Sequence, residues 1–272
     1  MPDNVPVYRT ERRYIMLLAI DIGNTNIVFG CVNENDEVVL FERISTNHSA
    51  TAAEYASLIR SVLLMNDFEP GDITAAIMSS VVPSVTNTVK QAVKKLFRVD
   101  VMVVGPGVKT GLNILIDNPA QLGSDQAVDA VAAINQYPVP LIIIDMGTAT
   151  TVSVVDKNKN YRGGLIMTGM AVAADALVAR TAQLPKINFE APENIIGTNT
   201  IDCLKSGILY SNACALDGII GRIEEELGCK CTAVATGGLS ELVVPLCRRM
   251  IIHDGDLLIK GLAIIYKKNR KV

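Results

Sequence analysis

The segment LLAIDIGNT, at residues 17–25, recurs in kind as LIIIDMGTA at residues 141–149. Each copy is an apolar strand followed by Asp-x-Gly and by hydroxyl or amide residues, and a second apolar strand returns after it. Asp21 and Asp145 hold the same place in the two copies, 124 residues apart. This internal repeat predicts two duplicated lobes with a cleft between them.

Strand and helix patterns alternate around the repeat, which predicts the α/β class. Residues 16–44 read as three antiparallel strands, and Thr51 is expected to cap a helix over residues 52–65. Residues 1–15 are interpreted as an N-terminal extension without targeting features. We therefore expect an N-terminal lobe at 16–122 and a C-terminal lobe at 123–272, each a mixed sheet flanked by helices.

The two Asp-x-Gly turns have the chemistry of a phosphate site. Glycine in a tight turn lets the backbone approach an anion, and successive N–H groups form a concave array of donors. An aspartate at the end of the preceding strand is suited to hold Mg²⁺ through water. One such turn alone is more often a plain hairpin, but two copies favour nucleotide binding.

Composition excludes several classes of protein. With 49% hydrophobic and 19% charged residues, the chain of 272 residues can bury a core, so disorder is excluded. The longest apolar run, residues 14–20, is about a third of the ~20 residues that a spanning helix needs. A net charge of -3 and the lack of a basic, aromatic-rich stripe argue against nucleic acid as a partner.

The six cysteines form no C-x-x-C pair, and we interpret them as small core residues of a protein in the reducing cytoplasm. Two histidines in the whole chain make a thiolate–imidazole metal site improbable. The basic residues near the end complement the C-terminus of a helix. They are Lys267, Lys268, Arg270 and Lys271.

Ten segments, in order, resemble type III pantothenate kinase, a family of the actin-like ATPase superfamily. They are DIGNTN (21–26), SSVVP (79–83), GPGVKTGL (105–112), DNP (117–119), DMGTATT (145–151), LP (184–185), IGTNT (196–200), SGILY (206–210), DGI (217–219) and ATGGL (235–239). The resemblance spans residues 16–266. It implies two actin-like (ribonuclease H-like) lobes with the nucleotide cleft between them.

The resemblance implies transfer of the γ-phosphoryl group of ATP to the primary hydroxyl of pantothenate, the first step towards coenzyme A. It places Mg²⁺ near Asp21 and a monovalent cation, K⁺ or NH₄⁺, near Asp145. The implied contacts to ATP are Asp21, Gly23, Asn24, Thr25, Asn26, Gly147, Thr148, Thr150, Thr151, Gly237 and Gly238. Of these, Gly237 and Gly238 are implied to leave room for adenosine.

The same resemblance implies a pantothenate pocket shaped by the loop at residues 105–112. The implied contacts to pantothenate are Gly105, Gly107, Lys109, Thr110, Gly111, Gly123, Ser124, Asp125, Gln126, Thr181 and Thr200. Family members are dimers whose pantothenate site borrows residues from the partner subunit. A homodimer with its interface on the C-terminal lobe is therefore implied, and a heterodimer with a paralogue is the alternative.

Asp125 is the candidate general base. Ser124 is a good helix cap, so Asp125 is expected to project from a helix N-terminus into the cleft and to stay ionised there. An ionised carboxylate can accept the proton of the attacking hydroxyl during in-line transfer. Without the resemblance, Asp125 would be an ordinary first-turn acid favoured by the helix dipole.

The sequence departs from the family pattern mainly in the motifs implied to touch pantothenate or the dimer interface. Gln126 replaces the usual arginine after Asp125, which removes a charge-assisted contact worth roughly 1.5–3 kcal/mol. The other departures are Ile116 for tyrosine, Thr168 for proline, Ser211 and Asn212 after Tyr210, and Gly255 after Asp254.

Three hypotheses follow from these departures. The chain is an active pantothenate kinase that compensates for Gln126, or a weakly catalytic or non-catalytic paralogue that acts as a partner subunit or regulator. The third is a kinase of the same fold that acts on another small hydroxylated acceptor. In all three, both phosphate turns are intact.

Overall fold

The computed structural model describes residues 15–270. The predicted extension at 1–15 and the basic residue Lys271 therefore lie outside the described residues, apart from Ile15. The described chain forms two mixed sheets flanked by helices, so the α/β prediction is confirmed.

The first sheet has the strand order β3-β2-β1-β4-β5. Its strands and covering helices are β1 (Met16–Ile22), β2 (Asn26–Val32), β3 (Val38–Ser45), α1 (Ala52–Met65), β4 (Ile73–Ser80), α2 (Pro83–Phe97) and β5 (Val101–Val103). β1, β2 and β3 form the predicted antiparallel meander, while β4 and β5 run parallel to β1. Thr51 caps α1 as predicted, in a reciprocal capping box with Glu54.

The second sheet has the strand order β11-β10-β7-β8-β9-β6. Its elements and flanking helices are β6 (Asn113–Ile114), α3 (Ser124–Gln136), β7 (Leu141–Met146), β8 (Ala149–Val155), β9 (Asn160–Thr168), α4 (Met170–Arg180), α5 (Thr200–Leu227), β10 (Thr232–Thr236), α6 (Ser240–Val243), β11 (Ile252–His253) and α7 (Leu257–Asn269). β7, β8 and β9 repeat the antiparallel meander, and β10 runs parallel to β7 as β4 does to β1. The duplication predicted from the two Asp-x-Gly segments is thus present at the level of strand pairing.

Two helices join the lobes. α7 packs on the first sheet, where Ile259 and Leu262 share a buried cluster with Ala19 of β1 and Ile77 of β4. It also crosses α3 closely, since a Cβ atom on Gly261 would lie 2.3 Å from the carbonyl oxygen of Val128. The short strand β6 lies before residue 122 but pairs with β9 of the second sheet. β6 therefore precedes residue 122 but belongs to the second sheet, and α7 follows residue 122 but packs on the first sheet. The predicted division of the lobes at residue 122 stays a prediction.

The cysteines depart from the core prediction. Cys31 is buried, but Cys203, Cys214 and Cys229 are exposed. Cys203 and Cys214 lie on the long helix α5, and Cys229 lies on the turn after it, so the prediction of core positions is wrong for these three. Within residues 15–270, none of the helices is both long enough and apolar enough to cross a membrane.

Candidate active site

A cavity of about 450 Å³ opens between the two lobes. Both repeated turns line it, with Gly23 and Thr25 from the first lobe and Gly147 and Thr148 from the second. The hydroxyl oxygens of Thr25 and Thr148 lie 2.9 Å apart, so the two turns meet across this space. The predicted cleft between duplicated lobes is therefore present.

The first turn is tight and presents polar side chains to the cavity. The backbone N–H of Gly23 donates to the carbonyl oxygen of Asn26 at 2.9 Å. A Cβ atom on Gly23 would lie 3.1 Å from that oxygen, which leaves little room for a side chain. The side chains of Asn24 and Thr25 are exposed at the cavity wall, where they can donate hydrogen bonds.

The second turn is supported by a glycine that the sequence analysis did not single out. A Cβ atom on Gly169 would lie 2.1 Å from the carbonyl oxygen of Thr148, so only glycine fits against this turn. α4 begins immediately after Gly169 without a side-chain cap. Its first N–H groups are therefore available to a ligand, and Ala171 and Val172 line the cavity beside them.

Three predicted carboxylates line the cavity: Asp21, Asp125 and Asp145. Burial raises the pKa of Asp21 to about 7, a hydrogen bond from Ser79 opposes this rise, and the charges of Asp125 and Asp145 add to it. Burial also raises the pKa of Asp145 to about 7, with Asp125 adding to the rise and Arg43 opposing it. Negative charge is thus concentrated in a partly desolvated space, where a cation would be strongly favoured.

Asp125 lies in the first turn of α3 and reaches the cavity, as predicted. The predicted cap is wrong: Gly123 is the N-cap residue, and Ser124 is bonded to Ser80 of β4 instead. A Cβ atom on Gly123 would lie 2.4 Å from Asp125 Oδ1, so the glycine leaves room for the carboxylate. The helix N-terminus does not lower the pKa of Asp125 below its usual range, because burial dominates and raises it.

Asp129 is an acid that the sequence analysis missed. It lies one turn after Asp125 on α3 and is only 2% exposed. Its Oδ1 atom has no hydrogen-bond partner among the described residues. Burial, followed by the charges of Asp145, Asp125 and Asp21, holds the pKa of Asp129 well above its usual range. The spacing of four residues from Asp125 was a usable signal, since it places both acids on one face of a helix.

Arg43 of β3 was also missed, and it is the one lysine or arginine among the described residues that line the cavity. Its guanidinium crosses to the second lobe, where a Cβ atom on Gly238 would lie 2.1 Å from Arg43 Nη1. The neighbouring Gly237 has a φ of 90°, and a Cβ atom there would lie 2.5 Å from Asp145 Oδ1. Gly237 is thus required by its backbone conformation and its close approach to the second turn, while Gly238 leaves room for the side chain of Arg43.

Several predicted residues lie elsewhere. Asn26 and Thr151 line the cavity, but Thr150 does not, because its side chain is fully buried. The loop that carries Gly105, Gly107, Lys109, Thr110 and Gly111 is not part of the cavity wall either. It is attached to the end of α7 by hydrogen bonds between Lys109 and Asn269 and between Lys268 and Thr110.

Thr181 and Thr200 also lie outside the cleft cavity. Thr181 follows α4, and its hydroxyl group donates to the carbonyl oxygen of Leu177. Thr200 begins α5 and lines a separate open groove with Leu184, Asn199 and Cys203. The single chain thus brings the predicted ATP residues other than Thr150 together with Asp125, but it does not bring the more distant predicted pantothenate residues to them.

The departures from the family pattern occupy different surroundings. Gln126 is partly buried next to Asp125, and Gly255 lines the cleft cavity. Ile116 packs with the apolar cluster of the second lobe. Ser211 and Asn212 both bond to the carbonyl oxygen of Ile208 within α5. Among these departures, Gln126 is the side chain next to Asp125, where the neutral amide stands in place of the usual guanidinium.

Comparisons with a family model and with individual relatives point to the same family. A sequence model of type III pantothenate kinase matches residues 17–222. The type III pantothenate kinase of Halalkalibacterium halodurans is 41% identical over 254 residues, covering 93% of this chain and 100% of the relative. That of Exiguobacterium sp. is 41% identical over 256 residues, covering 94% and 100%.

A solved structure supports the fold. Component A of (R)-2-hydroxyglutaryl-CoA dehydratase from Acidaminococcus fermentans matches with a TM-score of 0.56 at 17% identity. The match covers 93% of this chain and 98% of that one. At this level of identity the likeness concerns the arrangement of the two lobes alone.

Proposed function

The chain belongs to the type III pantothenate kinase family, and on that premise we propose how its cleft phosphorylates pantothenate with ATP at the entry to coenzyme A biosynthesis. The observation that carries the proposal is the convergence of both repeated turns and Asp125 on one cavity. Phosphoryl transfer needs a nucleotide cradle, a charge-neutralising environment and a group that orients the acceptor hydroxyl. Each has a candidate in this cavity.

The nucleotide cradle is formed by the two turns. Gly23, Asn24 and Thr25 of the first lobe and Gly147 and Thr148 of the second would surround the phosphates with backbone and side-chain donors. The uncapped start of α4 adds N–H groups next to the second turn. Gly237 and Gly238 would lie beside the adenosine, as the resemblance implies.

The charges of the cavity fit a cation-dependent reaction. Asp21, Asp125, Asp145 and Asp175 line it against the single guanidinium of Arg43. Among the described residues, no cluster of three or more His, Cys, Asp or Glu side chains is arranged to hold a metal. This sparse set suits Mg²⁺, which keeps several waters and binds one or two carboxylates together with substrate phosphates.

We assign Asp21 to Mg²⁺ and Asp145 to a monovalent cation, K⁺ or NH₄⁺. Both are oxygen donors, and bound cations would offset the burial and the neighbouring negative charge that raise the pKa of each. When bound, Mg²⁺ neutralises charge on the phosphates during transfer. The protein side chains hold the acceptor and donor in line.

Asp125 would accept the proton of the pantothenate hydroxyl as that oxygen attacks the γ-phosphorus of ATP. The bond from phosphorus to the bridging oxygen breaks, and ADP leaves with the electron pair. Because burial raises the pKa of Asp125, its carboxylate is a stronger base than an exposed aspartate. Gly123, Ser124 and Gln126 flank this carboxylate and would border the acceptor.

We further propose a homodimer, with a heterodimer as the alternative. Thr181, Thr200 and the loop at 105–112 lie outside the cleft cavity of one chain, and we propose that a second chain completes the pantothenate site to which they belong. Large apolar side chains are exposed on the same lobe: Ile166 is 78% exposed and Ile196 is 80% exposed. Val172, Leu177 and Ile201 of α4 and α5 are exposed as well. Burying such a surface is the usual driving force of dimerisation.

The test is a kinase assay on the purified protein alone, with ATP, pantothenate, Mg²⁺ and either K⁺ or choline. We expect ADP and phosphorylated pantothenate in equal amounts, with turnover raised by K⁺. Turnover no higher than that of the Asp125→Asn variant at millimolar pantothenate would contradict the proposal. Light scattering of the same sample gives the oligomeric state, and a monomer at assay concentration would contradict the homodimer.

Gln126 favours a second candidate, a weakly catalytic subunit that acts with a paralogue. In that case the protein alone would be nearly inactive, and turnover would appear on adding a family member that carries arginine after its aspartate. A third candidate, phosphorylation of another small alcohol, predicts ATP binding with turnover only on a different hydroxylated acceptor. The same assay, run with each addition in turn, separates the three.

A further inference from the structure

Ser79 and Ser80 end strand β4 and begin the segment SSVVP at residues 79–83. Neither serine has a role in the phosphoryl transfer proposed for the cleft. The parallel pairing of β1 and β4 places Ser79 directly beside Asp21. Ser79 is fully buried, and its Oγ donates to Asp21 Oδ1 at 2.7 Å. This is the side-chain hydrogen bond that fixes the carboxylate of Asp21.

The next residue is bonded to the start of α3. The backbone N–H of Ser80 donates to Ser124 Oγ at 3.3 Å, and Ser124 Oγ donates to the carbonyl oxygen of Ser80 at 3.2 Å. The hydroxyl of Ser80 lies 2.8 Å from that of Thr86 on α2, which holds the end of β4 in place. Ser124 immediately precedes Asp125, so this two-way contact sets where the helix that carries Asp125 begins.

We infer that Ser79 and Ser124 are positioning residues that fix Asp21 and Asp125 relative to each other through the end of β4. The inference rests on the proposed roles of those two aspartates. Ser79 binds one oxygen of Asp21 and leaves the other for the cavity, while Ser124 joins α3 to the adjoining residue. Small displacements of catalytic groups are costly, so rigid support of this kind matters for rate.

The two contacts predict separable defects. Ser79→Ala should raise the Mg²⁺ concentration for half-maximal activity about tenfold or more, because a hydrogen bond to a charged group is lost. Its KM for pantothenate should stay within about threefold of wild type, since Asp125 is untouched. Ser124→Ala should lower kcat about tenfold while the Mg²⁺ requirement stays unchanged. Ser61→Ala removes an exposed hydroxyl from α1 and is the matched control.

A readout independent of turnover is Mg²⁺-dependent binding of a fluorescent ATP analogue. Ser79→Ala should weaken it at limiting Mg²⁺ but not at saturating Mg²⁺, and should add no defect in an Asp21→Asn background. Equal changes in all parameters together with a lowered melting temperature would show a merely structural role and overturn the inference. If wild-type protein binds the analogue but does not turn over, the proposed function fails, and the binding comparison still tests Ser79.

Discussion

The hydroxyl oxygens of Thr25 and Thr148 lie 2.9 Å apart, although the two residues are 123 positions apart in the chain. Each belongs to one of the two repeated turns, so the contact closes the cleft at the place where phosphates are proposed to bind. A nucleotide entering between the turns must replace this hydrogen bond by bonds to its own oxygens. The two hydroxyls are therefore expected to act as one unit.

Thr148→Val should raise the KM for ATP about tenfold, because valine keeps the shape and removes the donor. Thr25→Val should have a similar effect, and the double variant should be more impaired than the product of the two, since either single change already removes the contact that a nucleotide must break. Steady-state kinetics in ATP measure this. Thr74→Val, at the far end of β4, is the control, and a fully multiplicative double variant would contradict the coupling.

Asp125→Asn should lower kcat by about 100- to 10,000-fold, the usual contribution of a general base. ATP binding should persist, because the phosphate turns are unchanged. The measurement is kcat together with equilibrium binding of an ATP analogue. Asp117→Asn provides an exposed aspartate for comparison. An Asp125→Asn variant that keeps a tenth or more of wild-type kcat would remove Asp125 from the role of base.

Gln126→Arg should lower the KM for pantothenate about 10- to 100-fold, because the guanidinium restores a charge-assisted contact to an anionic group. The side chain is partly buried at the start of α3, beside Asp125. Gln121→Arg makes the same exchange at an exposed position nearby. If Gln126→Arg leaves both KM and kcat unchanged, the missing charge is not what limits this chain.

Arg43→Gln should raise the KM for ATP about tenfold or more, since it removes a positive charge from a cavity that is otherwise lined by four aspartates. Arg43→Lys should restore part of the affinity, as lysine keeps the charge but not the planar fork. Kinetics in ATP at fixed pantothenate give the result. Arg60→Gln on α1 is the exposed control, and equal behaviour of the two glutamine variants would contradict a role for Arg43 in nucleotide binding.

Asp129→Asn should stabilise the protein above neutral pH. Because folding raises the pKa of Asp129, the folded state keeps a proton that the unfolded chain loses above about pH 4. The free energy of unfolding therefore falls as pH rises from there through the pKa of the folded state. At pH 8 the variant should be more stable by about 1–3 kcal/mol, the cost of a buried unsatisfied group.

Urea unfolding in the presence of a chelator, at pH 5 and at pH 8, tests this expectation. The difference between variant and wild type should be larger at pH 8, because the raised pKa of Asp129 lowers the free energy of unfolding of the wild type between these two pH values and the asparagine does not titrate. Asp117→Asn, which changes an exposed acid, should shift neither curve. A variant less stable than wild type at pH 8 would mean that the Asp129 carboxylate is stabilising.

Local patterns predicted the parts of the fold that depend on local physics. Thr51 as the cap and residues 52–65 as the extent of α1 were predicted correctly, because a capping side chain and helical apolar spacing are both visible within a short segment. The paired strands follow from the repeat, because Asp21 and Asp145 end equivalent strands. Asp125 lines the cavity as predicted, because a residue in the first turn of α3 lies at the end of the helix that points towards the cleft.

The remaining site residues depend on contacts that are distant in sequence. Ser124 looks like a cap but bonds to Ser80, which is 44 residues away. Arg43 lies on β3, where apolar and polar side chains alternate and a charged side chain normally faces solvent. Its approach to Gly238, which is distant in sequence, brings it into the cleft instead. Nothing local distinguishes such residues from ordinary surface positions.

The packing of α7 on the first sheet bears on how the nascent chain folds. β1, β2 and β4 leave the ribosome early, yet the apolar face that carries Ala19, Val32 and Ile77 is covered by a helix that is translated after the whole second sheet. Until residues 257–269 emerge, α3 contributes Val128 and Val131 to that cluster, but the larger apolar side chains Ile259, Leu262 and Ile265 of α7 are missing from it. The first lobe is thus completed last although its strands are made first, and synthesis stalled before Leu257 would yield a chain that chaperones must shield.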